Sequence, residues 1–275
     1  MAQVISSRPG SPPPGKRRHS PAVWLILILA ALTAAATTVF LNLADEPAVT
    51  DAFTRDSYSY RSVEAGEGIN LHIIKTKPDR LRLTVIGGNV TASGRPGING
   101  GFFWEEQLLS IAVENDKPVN GKPKGYGSGW FTAKYPRGTF VYDDAANSMS
   151  VQVVSSAEEL QVSDRSDYWA QGGISMNLQH DDIWKQAAEE EKLPFGGDKR
   201  LRTGMVYDLE GNVHLIVSSV KCTAEQFRSA IMELKEPNSL VEGIFLDGDG
   251  SSQLLLENVK LTGDGRAVLQ MIEIE

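Results

Sequence analysis

Cysteine is almost missing from this chain: Cys222 stands alone among 275 residues. No intramolecular disulfide can form, so the fold must rest on its apolar core. Cys222 itself is expected as a buried small residue, because a thiol nucleophile needs an orienting base and none is evident nearby. Histidine is scarce too, with four in all. His72, His180 and His214 do not fall at metal-ligand spacings, and His72 and His214 sit inside strand-like runs, where a structural role is expected. No P-loop, dinucleotide-binding glycine fingerprint or G-x-S-x-G elbow occurs. Positive charge is in deficit. The chain carries −8 overall, and residues 1–44 hold four basic side chains and no acid, leaving about −12 on the remainder. Such a surface excludes nucleic acid as a partner. A phosphate-bearing ligand would have to be met by locally placed arginine or lysine.

The N-terminus has its own composition. Residues 1–21 carry Pro9, Pro12, Pro13, Pro14 and the basic cluster Lys16-Arg17-Arg18. They are too polar to bury a core and are expected to be a disordered cytoplasmic tail. An uncharged run of 23 residues follows, from Ala22 to Ala44. A helix of about 20 apolar residues crosses the hydrocarbon core. With positive charge before it and Asp45, Glu46 and Asp51 after it, the run predicts a single-pass signal anchor with the remainder outside the cytoplasm. The competing reading is a cleaved signal peptide ending near Ala34-Ala35-Ala36, although the run is longer than the usual ~7–15-residue apolar region. Residues 45–68 are expected as a juxtamembrane linker and 69–275 as one domain.

Within that domain, Leu71–Thr76 and Leu81–Ile86 around Lys77-Pro78-Asp79 predict a β-hairpin. A second hairpin is expected at Thr203–Tyr207 and Val213–Ser218. Short strands are expected at 139–142, 150–154, 242–246, 253–256 and 267–274, and a short surface helix near 181–192. Residues 115–130 and 193–200, rich in glycine, proline and lysine, predict loops. Thr223-x-x-Gln226 is a capping box, and Phe227, Ile231 and Leu234 recur at helical spacing behind it, with Pro237 to end the helix. The expected class is α+β, a single domain around a mixed β-sheet with few helices, preceded by one transmembrane helix.

Three segments place polar groups beside glycines. The first is Asn99-Gly100-Gly101-Phe102-Phe103, where the glycines permit close backbone approach and Asn99 offers donor and acceptor. Read alone, it is equally a tight turn before an aromatic core pair. The second is Arg202-Thr203, a guanidinium suited to clamping phosphate or, alternatively, a solvated charge at a strand end. The third is Asp247-Gly248-Asp249-Gly250-Ser251-Ser252. It resembles a calcium loop superficially, but Ser252 and Asn258 stand where an EF-hand requires glycine and glutamate. A different divalent-cation site on Asp247 and Asp249 stays open; otherwise no metal or cofactor is expected. A carboxylate at a strand exit also suits acid, base or nucleophilic work on a glycosidic bond.

Taken in order with Gly172-Gly173 and the helix at 223–234, these segments resemble the phosphodiester glycosidase family over about residues 65–275. The match lies at Asn99-Gly100-Gly101-Phe102-Phe103, Gly172-Gly173, Arg202-Thr203, Leu246-Asp247-Gly248 and Gly250-Ser251-Ser252. The chain departs from the family pattern at Trp104-Glu105, where an aspartate is common, and at Asp249, where the family has glycine. The resemblance implies an exported hydrolase of a sugar-1-phosphodiester or related glycosidic bond in an envelope glycan. It places Asp247 at the anomeric carbon as base or nucleophile, Arg202 on the phosphate, and Asn99 with Gly100 and Gly101 orienting the substrate. Thr203, Gly248, Ser251 and Ser252 would line the sugar or phosphate, and Asp249 or Glu105 would supply a second carboxylate. Two alternatives remain at this level: a non-catalytic glycan-binding or assembly module, with Trp104, Trp130 or Trp169 as stacking platforms, and a metal-dependent hydrolase using Asp247 and Asp249.

Overall fold

Strand periodicity is written into the chain from Tyr58 onward. In Tyr58–Ala65 and Ile69–Thr76 buried and partly exposed positions alternate over the first four residues of each, as a half-covered strand requires. Val213–Ser218 is buried along its whole length because both faces of its sheet are covered. The computed structural model describes residues 48–66, 68–234 and 239–275. The uncharged 22–44 run expected to anchor the chain lies outside them, as do the tail before it and Pro237. Among the described residues no helix is long and apolar enough to cross a membrane.

The architecture is mainly β, with two α-helices, Trp184–Glu190 and Ala224–Met232, among the described residues. A seven-stranded sheet runs, edge to edge, through Ala48–Thr54, Tyr58–Ala65, Ile69–Thr76, Val213–Ser218, Thr203–Asp208, Leu240–Phe245 and Ile174–Ser175. A five-stranded sheet is built around Arg137–Asp143 and Tyr168–Gly172. Another is built around Gly97–Asn99, Val268–Ile274 and Leu81–Gly88. The expected mixed sheet is therefore replaced by separate sheets in which every described pairing is antiparallel. The hairpin at Thr203–Asp208 and Val213–Ser218 forms as expected. The one predicted across Lys77-Pro78-Asp79 does not. Pro78–Arg80 makes a 3-10 turn, and Leu81, fully buried, carries the chain into a different sheet, where it pairs with Ile274.

A second correction concerns residues 45–68. Instead of a linker, this stretch supplies the strands Ala48–Thr54 and Tyr58–Ala65 at the edge of the large sheet. Asp51, Arg55, Asp56 and Glu64 are exposed and disguise Tyr58 and Tyr60, which are buried against the core. Phe53 packs on Tyr60 at 4.9 Å, and the Tyr60 hydroxyl meets His72 Nδ1 at 2.7 Å.

The three sheets enclose a common core. Ile74, Leu215 and Ile244 come from the large sheet, Phe140 and Trp169 from the second, and Ile98 and Ile272 from the third. Phe140 and Trp169 stack at 5.5 Å. The other face of the large sheet is covered by the helices through Trp184, Phe227 and Ile231. Gly172-Gly173 is where the chain leaves the second sheet for the first. A side chain on Gly173 would collide with the Phe245 carbonyl, so only glycine lets the strands approach this closely.

The helix Ala224–Met232 begins with the capping box read from the sequence: Thr223 Oγ1 accepts from the Gln226 amide at 3.1 Å, and Gln226 Oε1 accepts from the Thr223 amide at 3.0 Å. Replacing Thr223 with alanine should lower stability by about 1 kcal/mol, measured as a shift in the urea midpoint at constant slope.

Candidate functional site

Asn99 ends its strand at the seam between the first and third sheets, and its side chain stitches that seam shut. Its Nδ2 donates to the Asp247 carbonyl at 2.8 Å. Its Oδ1 accepts from Thr203 Oγ1 at 3.1 Å and from the Gln253 amide at 3.0 Å. Thr203 Oγ1 bonds Ser252 Oγ at 3.0 Å. Asn99, Thr203, Ser251 and Ser252 are all buried. The structure brings these residues together as an internal clasp. The side chains of Asn99, Thr203 and Ser252 are spent on one another and on the neighbouring backbone, while Ser251 bonds the Asp247 carboxyl.

Gly100 and Gly101 differ from expectation in the same way. The Gly100 amide donates to the Gln270 carbonyl at 2.9 Å, and the Gly101 amide to Gln270 Oε1 at 3.2 Å. Neither N–H is offered to a ligand. A Cβ on Gly101 would strike the side chains of Ser110 and Gln171, so the glycine serves a buried glutamine pair. Gln270 Nε2 donates to Gln171 Oε1 at 2.5 Å, linking the third sheet to the second.

Above the clasp lies a pocket of about 140 Å³ whose lining includes Arg200, Arg202, Asp247, Asp249, Arg266 and Phe195. Asp247 follows the strand Leu240–Phe245 and is half-buried. Burial pushes its carboxyl up to about 6; hydrogen bonds from Ser251 and the Gly248 amide and the charge of Arg266 oppose that rise, and the neighbouring Asp249 adds to it. The Gly248 amide donates to Asp247 Oδ1 at 3.1 Å. A carboxyl poised near neutrality in a cleft is the kind of group that active sites employ.

Arg202 is 5% exposed. Nε donates to the Cys222 carbonyl at 3.2 Å, and Nη2 to the carbonyls of Phe195 at 2.6 Å and Asp198 at 2.8 Å. Burial draws its pKa down from the usual value, yet a guanidinium stays charged. Among the described residues no carboxylate pairs with it, and no hydrogen bond engages Nη1. A buried, unpaired cation in a pocket wall is expensive unless an anion arrives. Arg200 is held by the bridge to Cys222, the residue before the helix cap. Its Nη1 pairs with Asp249 Oδ2 at 2.9 Å and its guanidinium lies 4.6 Å over the Phe195 ring. Cys222 itself is buried, as expected.

Two expected residues sit elsewhere or serve differently. Glu105 lies exposed in the turn of the small Phe103–Trp104 and Gln107–Leu108 hairpin and does not line the pocket. Asp249 does line it, but its carboxylate is committed to Arg200. Trp130 and Trp169 are core, whereas Trp104 is exposed. His214 is bonded to Asp208 at 2.8 Å within its hairpin. Sequence reasoning missed Arg266, which approaches from the loop before the last strand; nothing local to Gly265-Arg266 signals it. Phe195 was missed too. Its φ of +51° is unusual for a bulky residue, and the Arg202 bond to its carbonyl holds it there.

No protein-family profile matches this chain, and no curated protein does. Solved structures do. The catalytic domain of zebrafish N-acetylglucosamine-1-phosphodiester alpha-N-acetylglucosaminidase, auto-inhibited by its pro-peptide, is 13% identical, with 83% of this chain and 88% of that one covered at a TM-score of 0.57. The two share a fold. A hypothetical protein from Synechocystis is 13% identical over 84% of this chain and 64% of its own length, at a TM-score of 0.49.

The raised Asp247 value has a consequence for stability. From the ordinary 3.8 to about 6, the folded chain keeps a proton that the unfolded chain has lost, so stability falls as pH rises through that window. Asp247→Asn cannot ionise. Its stability relative to wild type should rise by about 1–2 kcal/mol between about pH 4 and pH 7, after allowance for solvent screening. Urea unfolding of both proteins at the two pH values measures this; a difference independent of pH would contradict it.

Proposed function

We propose that this chain hydrolyses the bond between an anomeric carbon and a phosphodiester oxygen, in a sugar-1-phosphodiester of an envelope glycan. The observation that carries the reading is the convergence of Asp247, poised near 6, with Arg200, Arg202 and Arg266 in one pocket. In a chain of net charge −8, this cluster is a local anion site: Arg200 and Arg266 are paired with carboxylates, while among the described residues Arg202 bonds only carbonyls. The fold shared with the zebrafish domain, whose name records that same bond, supports it. We further infer that residues 22–44 carry the domain out of the cytoplasm and anchor it.

The chemistry follows from the charges. A phosphate is already a good leaving group when its developing charge is met, and arginine supplies that by fixed donors. What hydrolysis then needs is a base. At neutral pH, Asp247 is largely ionised and more basic than an ordinary carboxylate. It takes a proton from water as the oxygen attacks the anomeric carbon. The carbon–oxygen bond breaks, and its electron pair leaves on the phosphate oxygen, held by Arg202 Nη1 and its neighbours. Asn99 and Ser252 act by positioning the Asp247 loop.

Turnover of a panel of sugar-1-phosphodiesters by the full chain tests the reading. The rate should rise through about pH 6 and level off. Asp247→Asn should lower kcat by roughly 10²–10⁴-fold and abolish that limb, and Arg202→Ala should cost a comparable factor. Absence of turnover over a broad panel, with the fold intact, would leave a glycan-binding module. Activity lost to a chelator and restored by a divalent cation would favour the metal reading instead.

A further inference from the structure

The pocket already contains an anion of its own. Asp249 stands where the motif pattern this chain resembles has glycine, and its φ of +55° shows why glycine suits it: the backbone there is left-handed, a region that aspartate tolerates better than most residues. The residue departs from the pattern without disturbing the loop. The Asp249 amide donates to the Leu201 carbonyl at 2.7 Å, and the Ser252 amide to the Asp249 carbonyl at 3.1 Å. What the departure adds is a carboxylate in the pocket wall, paired with Arg200 at 2.9 Å. Arg200 is shared further, with Asp198 Oδ2 at 3.3 Å and with the Phe195 ring. Both members of the Arg200–Asp249 pair are about a third exposed, so the pair can open at modest cost. The charge of Asp249 also reaches Asp247, Arg202 and Arg266.

We propose that Asp249 sets the charge selectivity of this pocket: it admits a monoanionic phosphodiester and disfavours a dianionic phosphomonoester. The consequence for turnover rests on the hydrolase reading; the selectivity does not. A diester carries one negative charge. Cleavage at the anomeric carbon leaves the phosphate as a monoester, whose second ionisation lies near pH 6, so the product gains almost a full charge at neutral pH. Repulsion from a fixed carboxylate scales with that charge. It acts weakly on the substrate and strongly on the product, and so speeds product departure from a site whose Arg202 would otherwise retain it. Asp249 also competes with the ligand for Arg200, which lowers affinity for all anions but spares the buried Arg202, whose Nη1 is not engaged.

Matched small probes test this without any turnover. Methyl phosphate is the dianion and dimethyl phosphate the monoanion. Calorimetric titration of the full chain at about pH 8 gives their ratio of affinities, which is then compared with that of Asp249→Asn and Asp249→Gly. Both substitutions fit a left-handed backbone. The expected result is a gain of about tenfold for methyl phosphate and about threefold for dimethyl phosphate in both variants, since a second charge feels the carboxylate twice. Equal gains for the two probes would overturn the proposal, as would no gain or no binding of either probe to any of the three proteins. The outcome is separable from that of the substrate panel. Shifted selectivity with no turnover keeps the role of Asp249 and removes the hydrolase; turnover with unshifted selectivity does the reverse.

Discussion

Everything at the pocket depends on one buried amide. Asn99 reaches from the third sheet to the Asp247 carbonyl, the Thr203 hydroxyl and the Gln253 amide, and these three belong to the exit of one strand, the start of another and the turn into a third. The backbone itself bridges this seam from the Asp247 amide to the Gly100 carbonyl at 3.3 Å. Side chains complete it, Asn99 with a donor on one side and an acceptor on the other and the Thr203–Ser252 hydroxyl pair beside it, and because these groups are buried an unmade bond there would cost the full desolvation of the group. The Gln270–Gln171 pair repeats the device between the third and second sheets. Small polar side chains therefore hold three apolar-faced sheets in register around their common core.

The arginines show the same economy in reverse. Arg202 satisfies three peptide carbonyls of the 195–198 loop and Cys222, so it fixes the pocket wall while retaining a charge that no described carboxylate neutralises. Arg200 and Arg266 are paired and partly exposed. The pocket thus has a rigid cation at its base and adjustable ones at its rim, next to a carboxyl whose ionisation burial has delayed. Preorganised charge beside a proton acceptor is the arrangement that electrostatic catalysis requires, and the strain visible at Phe195 lies in the same loop.

Much of this was legible in the chain. The second hairpin, the capping box and the strands at Arg137–Asp143 and Ser148–Val154 follow from periodicity and turn chemistry, which are local; the central strand Tyr168–Gly172 does not. The three polar motifs meet at one seam, where their order in the chain had carried the resemblance. Roles were less legible. Asn99, Gly100 and Gly101 looked like ligand-facing groups because sequence cannot tell whether a polar atom meets a ligand or another buried atom. Leu81 looked like the return strand of a hairpin because its alternation is the same in either sheet. Residues 48–65 passed for a linker because outward charges masked buried Tyr58 and Tyr60.

The sequence by itself determined where several of the strands and the capped helix form, that no disulfide supports them, and that any phosphate must be met by a few placed cations in an acidic chain. These depend on neighbours along the backbone or on composition alone. Only the tertiary structure decided which carboxylate is free, which arginine is locked, and that Arg266 and Phe195 share a pocket with Asp247. Those facts depend on distances between residues far apart in the chain, and on burial, which sets both the cost of an unpaired charge and the pKa of the group beside it.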